Sequence, residues 1–134
     1  MWVLDTNVAI HLRDGDEDIE TKFSALGGSA AISVVTLVEL EGGVYRDPTQ
    51  TARLRPRLDA MLEAMDILVF ERREAGIYGE IVATLGYSRS RILDRMIAAQ
   101  AIAADATLIT INGADFKGIP GLKLEIWSSP PPLA

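Results

Sequence analysis

The chain has 134 residues, of which 49% are hydrophobic, and this predicts a single domain over residues 1–134 with a core of its own. A formal net charge of −6 argues against capture of nucleic acid by charge alone, so a polyanionic substrate would need a bound cation or a local basic patch. With no cysteine and one histidine, His11, disulfides, thiolate metal sites and multi-histidine zinc sites are excluded.

The same composition bears on the compartment. The lack of cysteine suits a reducing cytoplasm, and the first residues show neither the basic region nor the cleavage site of a signal peptide. No apolar run approaches the ~18 residues that span a membrane. We therefore expect a cytoplasmic protein with no membrane partner.

Short apolar runs alternate with helical patterns along the whole chain. Strands are predicted at residues 2–4, 30–33, 67–70, 107–111 and 122–127, and amphipathic helices occupy the segments between them. This order predicts an α/β domain of three layers, in which helices flank a central, mostly parallel sheet of about five strands. Residues 128–134, with three consecutive prolines, are predicted to form a loose tail.

Some helix boundaries can be predicted from local signals. Thr36 is a plausible N-cap with Glu39 at the capping-box position three residues later. Pro56 interrupts the helical pattern of residues 54–65, so that helix is predicted to be kinked there or to begin there. Gly86 is predicted to close the helix that precedes it.

Four acidic residues stand beside apolar sequence near predicted strand-to-helix junctions. They are Asp5, Glu39, Asp94 and Asp115. Because ligands of parallel α/β sheets bind beyond the carboxyl ends of the strands, the four carboxylates are expected to converge at one edge. Each alone is explained as well by helix capping or a turn, but four at separate junctions on one edge are hard to explain by capping alone.

A cluster of carboxylates is electrostatically unfavourable unless something neutralises it. Carboxylates within ~4–6 Å of each other repel, and each raises the pKa of its neighbours. Only hard oxygen donors are available in this chain, so Mg²⁺ or Mn²⁺ fits best. One ion with outer partners or two ions would both suit phosphodiester hydrolysis.

Polar and basic neighbours of the acids extend this hypothesis. Supporting hydrogen bonds to carboxylates or metal-bound water are expected from Thr6, Asn7, Thr110 and Asn112. Substrate phosphates are expected to contact Arg89, Arg91 and Arg95, although solvated surface arginines explain each of them as well. Gly42 and Gly43, on the helix face of Glu39, either leave room for a substrate backbone or mark a fraying helix end.

The motifs together resemble those of PIN-domain proteins of the VapC toxin type. The resemblance runs almost end to end and rests on Val3-Leu4-Asp5-Thr6-Asn7, residues 33–40 with Gly43, residues 94–101, and residues 108–116 followed by 119–122 and Trp127. One departure is Arg95, which stands where the family often has a small residue after the acid.

The resemblance implies a Mg²⁺- or Mn²⁺-dependent ribonuclease, the toxin of a toxin–antitoxin pair. Asp5 and Asp94 would be the core metal ligands, Glu39 and Asp115 would complete the set directly or through water, and Thr110 and Asn112 would support them. It also implies homodimers, higher assemblies with a VapB-like antitoxin whose C-terminal segment covers the active site, and DNA contact only through that antitoxin.

Two other functions remain open. In an aspartyl-nucleophile phosphatase Asp5 would attack phosphate, but such sites usually have a second Asp two positions later, where this chain has Asn7, and no lysine is compellingly placed. Alternatively, the domain is a catalytically silent partner-binding module of a DNA-bound repressor complex. The full set of four acids argues against a silent site.

Overall fold

A computed structural model describes residues 1–130, which form five β-strands, six α-helices and three short 3-10 helices. The strands are β1 (Trp2–Leu4), β2 (Ala30–Ser33), β3 (Asp66–Leu68), β4 (Thr107–Thr110) and β5 (Lys123–Ile126). The helices are α1 (Thr6–Arg13), α2 (Glu17–Ser24), α3 (Val34–Arg46), α4 (Thr51–Glu63), α5 (Arg72–Leu85) and α6 (Ile92–Ala103). The 3-10 helices are Pro48–Gln50, Arg89–Arg91 and Gly113–Phe116. The predicted tail of residues 128–134 includes 131–134, which lie outside the described residues.

The five strands form one parallel sheet in the order β3-β2-β1-β4-β5. This confirms the predicted α/β architecture with a central parallel sheet. From β1 the chain runs outward through β2 to β3, and then returns to the other side of β1 for β4 and β5. The order of strands therefore reverses between β1 and β4, and the crevice outside this switch point is where open α/β sheets bind ligands.

Helices cover both faces of the sheet, because alternate strand residues point to opposite faces. Leu4 and Ile109 pack with α1, α2, α3 and α4 in one core, whereas Val3 and Leu108 pack with α5 and α6 in the other. The side chains of all four are fully buried. Burial on both faces explains why the central strands are continuous apolar runs rather than alternating ones.

The start of α3 differs from the prediction. Ser33 is the N-cap, and its hydroxyl accepts a hydrogen bond of 2.9 Å from the backbone N–H of Val35. Thr36 lies inside the helix and is buried, so the prediction that it caps the helix with Glu39 was wrong. The helix begins directly after β2, which leaves no turn in which a later cap could act.

Two alternatives were predicted for the helix around Pro56, and the one in which the helix begins at the proline was wrong. The helix begins at Thr51 and continues through Pro56 to Glu63. Gly86 does close α5, as predicted, with a φ of +87° that favours glycine.

Arg95 connects α6 to the end of α5 through a hydrogen bond. Its side chain is buried, and its Nη1 donates a hydrogen bond of 2.7 Å to the carbonyl oxygen of Gly86. This hydrogen bond gives Arg95 a structural role, and the expected contact with substrate phosphates stays a prediction that its low exposure disfavours. Within residues 1–130, none of the helices combines the length and the apolar character needed to cross a membrane.

Candidate active site

The four acids line a single pocket of about 290 Å³. Asp5 follows β1 and caps α1, Glu39 lies in the second turn of α3, Asp94 lies in the first turn of α6, and Asp115 lies in the 3-10 helix after β4. The expected convergence at the switch point is thus present in the structure, while the chemical role of each acid stays a prediction. The pocket is completed by Thr6, Asn7, Ile10, Arg89, Ser90 and Leu93.

Asp5 is the most firmly held of the four acids. It is buried, with 4% of its surface exposed. One carboxylate oxygen accepts from the backbone N–H of Thr6 at 2.8 Å, and the other accepts from the hydroxyl of Thr110 at 2.9 Å. Its own N–H donates to the carbonyl of Ile109 at 2.9 Å, which joins the ends of β1 and β4. Its orientation is therefore fixed by the protein alone.

Glu39 is held by two threonine hydroxyls in series. The Thr6 hydroxyl lies 3.2 Å from a Glu39 oxygen and 2.9 Å from the Thr36 hydroxyl. Since an ionised carboxylate only accepts hydrogen bonds, Thr6 donates to Glu39 and Thr36 donates to Thr6. Sequence reasoning missed this role of Thr36, although residues three apart in a helix share a face.

The other predicted supporting residues contribute unequally. Asn112 acts through its backbone, whose N–H donates to the Thr110 hydroxyl oxygen at 3.0 Å and so directs that hydroxyl's proton towards Asp5. Asn7 is exposed at the pocket wall. Thus two of the four, Thr6 and Thr110, contact the acids through their side chains.

The three candidate arginines lie in three different environments. Arg89 lines the pocket with its side chain exposed. Arg91 forms an ion pair with Asp115. Arg95, bound to the end of α5, is not part of the wall that the described residues form around the acids. Of these three arginines, Arg89 and Arg91 therefore bring positive charge to this site.

Burial and mutual repulsion raise the pKa values of three of the acids. For Asp94 the pKa rises to about 6, chiefly through burial and then through the negative charges of Asp5 and Asp115, with Arg91 opposing the rise. Burial also raises the pKa of Asp5 and Glu39, and their hydrogen bonds partly offset this. The pocket therefore holds more negative charge than its surroundings compensate.

These residues fit a hard divalent cation. All the donors are oxygens, and a cation would offset both the burial of the charged carboxylates and their mutual repulsion, which together raise the pKa values. Across residues 1–130, no group of three or more acidic or histidine side chains is arranged so that it could hold a metal ion by itself. Mg²⁺ does not require such a group, because it commonly binds one or two carboxylates and keeps several waters.

A parallel sheet between two layers of helices, with four acids at its switch point, is the architecture to be compared with known proteins. The PIN domain family model matches residues 2–122. Ribonuclease VapC2 of Rickettsia felis is 32% identical over 133 residues, which cover 95% of this chain and 98% of that protein. The tRNA(fMet)-specific endonuclease VapC of Shigella flexneri is 28% identical over 95% of this chain and 98% of its own length.

The solved structures agree with the sequence comparison. A structure of VapBC2 from Rickettsia felis bound to a DNA fragment from its promoter contains a chain with a TM-score of 0.83 and 30% identity, covering 95% of this chain and 98% of that one. The chain belongs to the PIN-domain family, in its VapC branch.

Asp94→Asn is expected to raise the free energy of unfolding of the metal-free protein at pH 7. The pKa of Asp94 rises from its ordinary value of 3.8 to about 6 on folding. Protonated Asp94 therefore contributes to the stability of the fold, and this contribution is fully present below about pH 3.8 and is lost as the pH rises through 6. Asparagine stays neutral throughout. Urea unfolding in EDTA should therefore show an advantage over wild type that grows from pH 4 to pH 7.

Asp105→Asn is the matched control for this substitution. Asp105 is exposed, and its hydrogen bond with Lys123 lowers its pKa, so the same change there removes stability at pH 7 instead of adding it. An advantage of Asp94→Asn that is equal at pH 4 and pH 7 would contradict the electrostatic origin.

Proposed function

We propose that the chain is a metal-dependent endoribonuclease that acts in the cytoplasm as the toxin of a toxin–antitoxin pair. The observation that carries the proposal is the convergence of Asp5, Glu39, Asp94 and Asp115 in one pocket with too little compensating charge. The names of the relatives, a ribonuclease and a tRNA-specific endonuclease, supply the reaction class.

In this proposal Asp5 and Asp94 bind Mg²⁺ or Mn²⁺, and Glu39 and Asp115 complete the site directly or through water. A bound cation would supply stabilisation of the charge that develops on the phosphate. The protein's part is to hold the donors in place: Thr110 and the Thr6 backbone orient Asp5, and the Thr36–Thr6 pair orients Glu39. Such outer hydrogen bonds typically change metal affinity or activity by about 10–100-fold.

The two arginines of the site are proposed to have different roles. Arg89 is exposed at the pocket wall, where it can bind a substrate phosphate. Arg91 is already paired with Asp115, and its charge lowers the pKa of Asp94. Arg91 therefore balances the acids, whereas Arg89 holds RNA.

The proposed partner is a small VapB-like antitoxin, with the toxin as a homodimer inside a larger complex. The structure from Rickettsia felis is a toxin–antitoxin complex on promoter DNA, which supports an antitoxin partner and an indirect contact with DNA. The C-terminal segment of the antitoxin is proposed to cover the pocket of the four acids.

The phosphatase alternative finds no support at the site. The residue two positions after Asp5 is Asn7, which cannot act as an acid. Lys22 pairs with Asp18 and Lys123 pairs with Asp105, and the pocket wall formed by the described residues contains no lysine. A catalytically silent partner-binding module remains the competing function. It would be favoured if calorimetry detected no metal binding by the wild-type protein.

Asp5→Asn and Asp94→Asn are expected to reduce RNA cleavage at least 100-fold while the fold is kept, because loss of a direct ligand should exceed the effect of losing an outer hydrogen bond. EDTA should stop cleavage by the wild type, and Mg²⁺ or Mn²⁺ should restore it. Asp105→Asn is the matched control, since it changes an exposed acid outside the pocket at which asparagine tolerates the φ of +50°. Wild-type cleavage by either pocket variant would overturn the mechanism.

Arg89→Gln is expected to raise the KM for RNA about tenfold, the equivalent of roughly 1.4 kcal/mol. Arg91→Gln should instead make the Mg²⁺ concentration needed for half-maximal cleavage rise more steeply as the pH falls towards 6, because the pKa of Asp94 in the metal-free protein then rises further and protons compete with the cation. Steady-state kinetics from pH 6 to 8.5 separate the two effects. Arg53→Gln, on the exposed side of α4, serves as control. Identical profiles for the two pocket variants would contradict the division of roles.

Expression of the wild-type chain alone is expected to stop bacterial growth, and co-expression of its cognate antitoxin, sought as a small open reading frame directly upstream, should restore it. The two chains should then purify as one complex. Asp5→Asn should leave growth unaffected, because toxicity depends on the pocket. Normal growth with the wild-type chain alone, at expression levels checked by immunoblot, would contradict the role as a toxin.

A further inference from the structure

A second groove opens directly beside the pocket of the four acids. It has a volume of about 580 Å³ and runs along α3 and the end of α1. Ile10 and Glu39 line both the groove and the acid pocket, so the two spaces meet at these side chains. The rest of the groove is formed by Arg13, Val38, Gly42, Gly43 and Arg46.

The floor of this groove is a pair of glycines inside a regular helix. Neither has a positive φ, and each weakens α3 by up to about 1 kcal/mol relative to alanine. A Cβ on Gly42 would meet no atom within 4 Å, and a Cβ on Gly43 would lie 3.4 Å from Nη1 of Arg13. A Cβ on Gly43 would only touch Arg13 at an ordinary contact distance, so the packing of the described residues requires glycine at neither position.

The groove carries positive charge in an otherwise acidic chain. The Nε and Nη2 atoms of Arg13 bind Asp14, which leaves its Nη1 on the side of Gly43. Arg46, in the last turn of α3, is exposed and forms no ion pair with any residue of 1–130. Beside them, Ile10 and the 67%-exposed Val38 offer apolar surface. A groove with arginine along its wall suits the phosphate backbone of a single nucleic-acid strand.

The spacing along the helix sets the length of strand that fits. Glu39, Gly42, Gly43 and Arg46 share one face of α3, since they are spaced at three, four and seven residues. Seven residues of helix correspond to about 10.5 Å. A stacked strand rises roughly 3.4 Å per nucleotide, so Arg46 lies about three nucleotides from Glu39.

We propose that this groove binds the RNA strand next to the scissile bond, with its backbone over Gly42 and a phosphate about three nucleotides away on Arg46. The proposal rests on the proposed function and adds to it a binding site for the flanking part of the substrate. It follows that cleavage efficiency rises as the RNA is lengthened on one side of the cut, up to about three nucleotides.

The first test fills the groove. Gly42→Phe is the substitution of choice, because a Cβ on Gly42 meets no atom within 4 Å and the ring can extend into the groove. Circular dichroism checks that the fold is kept. Gly79→Phe is the matched control, because Gly79 is also exposed inside a helix, α5, with nothing within 4 Å of a Cβ. Single-stranded RNAs are lengthened one nucleotide at a time on either side of a fixed cut site, and kcat/KM is measured for each. The gain from lengthening should fall at least tenfold in Gly42→Phe and persist in Gly79→Phe.

The second test removes charge and needs no cleavage. Arg46→Gln in an Asp94→Asn background should weaken binding of a labelled RNA, followed by fluorescence anisotropy. The slope of log K against log salt should become shallower by about 0.7, the value expected for one lost phosphate contact on a single strand. Arg53→Gln, exposed on α4, is the control and should leave the slope unchanged.

The outcomes separate this proposal from the proposed function. If the wild type cleaves RNA but Gly42→Phe and Arg46→Gln behave as their controls do, the groove proposal is wrong and the ribonuclease proposal stands. If Gly42→Phe leaves RNA unaffected but abolishes neutralisation by the co-expressed antitoxin, the groove belongs to the protein partner. If it changes the oligomeric state in size-exclusion chromatography instead, the face belongs to a second copy. Either result overturns the assignment to RNA.

Discussion

Repulsion among four carboxylates at one edge of the sheet is the constraint on which the rest of the site depends. The topology creates it, because β1 and β4 end side by side where the strand order reverses. Burial adds the larger effect: loss of solvent, together with the charges of Asp5 and Asp115, raises the pKa of Asp94 to about 6. A fold that only needed stability would gain from neutral side chains here. Retaining the charges makes sense only where a cation or a cationic group enters the pocket.

The surrounding hydrogen bonds restrict how this repulsion can be relieved. Asp5 cannot turn away, because Thr110 and the Thr6 backbone hold both of its oxygens, and Glu39 is held by Thr6. Asp115 forms an ion pair with Arg91, and within residues 1–130 no other acid of the pocket has an ion pair. The four acids therefore differ in how they are held: Asp5, after β1, and Glu39, on α3, are fixed by hydrogen bonds, and Asp115 is paired with a cation of the chain. For Asp94, burial and its neighbours leave a raised pKa that Arg91 only partly offsets.

How far the sequence predicts this structure depends on how local each signal is. The strands, the parallel sheet and the positions of the four acids could be predicted, since each acid stands beside a buried apolar run. The structural role of Arg95 could not be predicted, because it depends on a hydrogen bond to a carbonyl nine residues away at the end of another helix. Thr36 misled for a related reason: its spacing from Glu39 fits a capping box, while the hydroxyl partner that fixes its role is 30 residues distant.

The charge of the whole chain finally limits how RNA can be held. With a net charge of −6, the domain gains little from long-range attraction, and positive charge at the site is confined to a few arginines. Each phosphate contact with a single strand contributes only about 0.7 to the salt dependence of binding. Two or three such contacts give modest, weakly salt-dependent affinity, so discrimination between RNAs has to come from shape and from contacts to bases. In the proposed binding mode that shape comes from the groove along α3, which meets the acid pocket at Ile10 and Glu39 and has no side chain at Gly42 and Gly43.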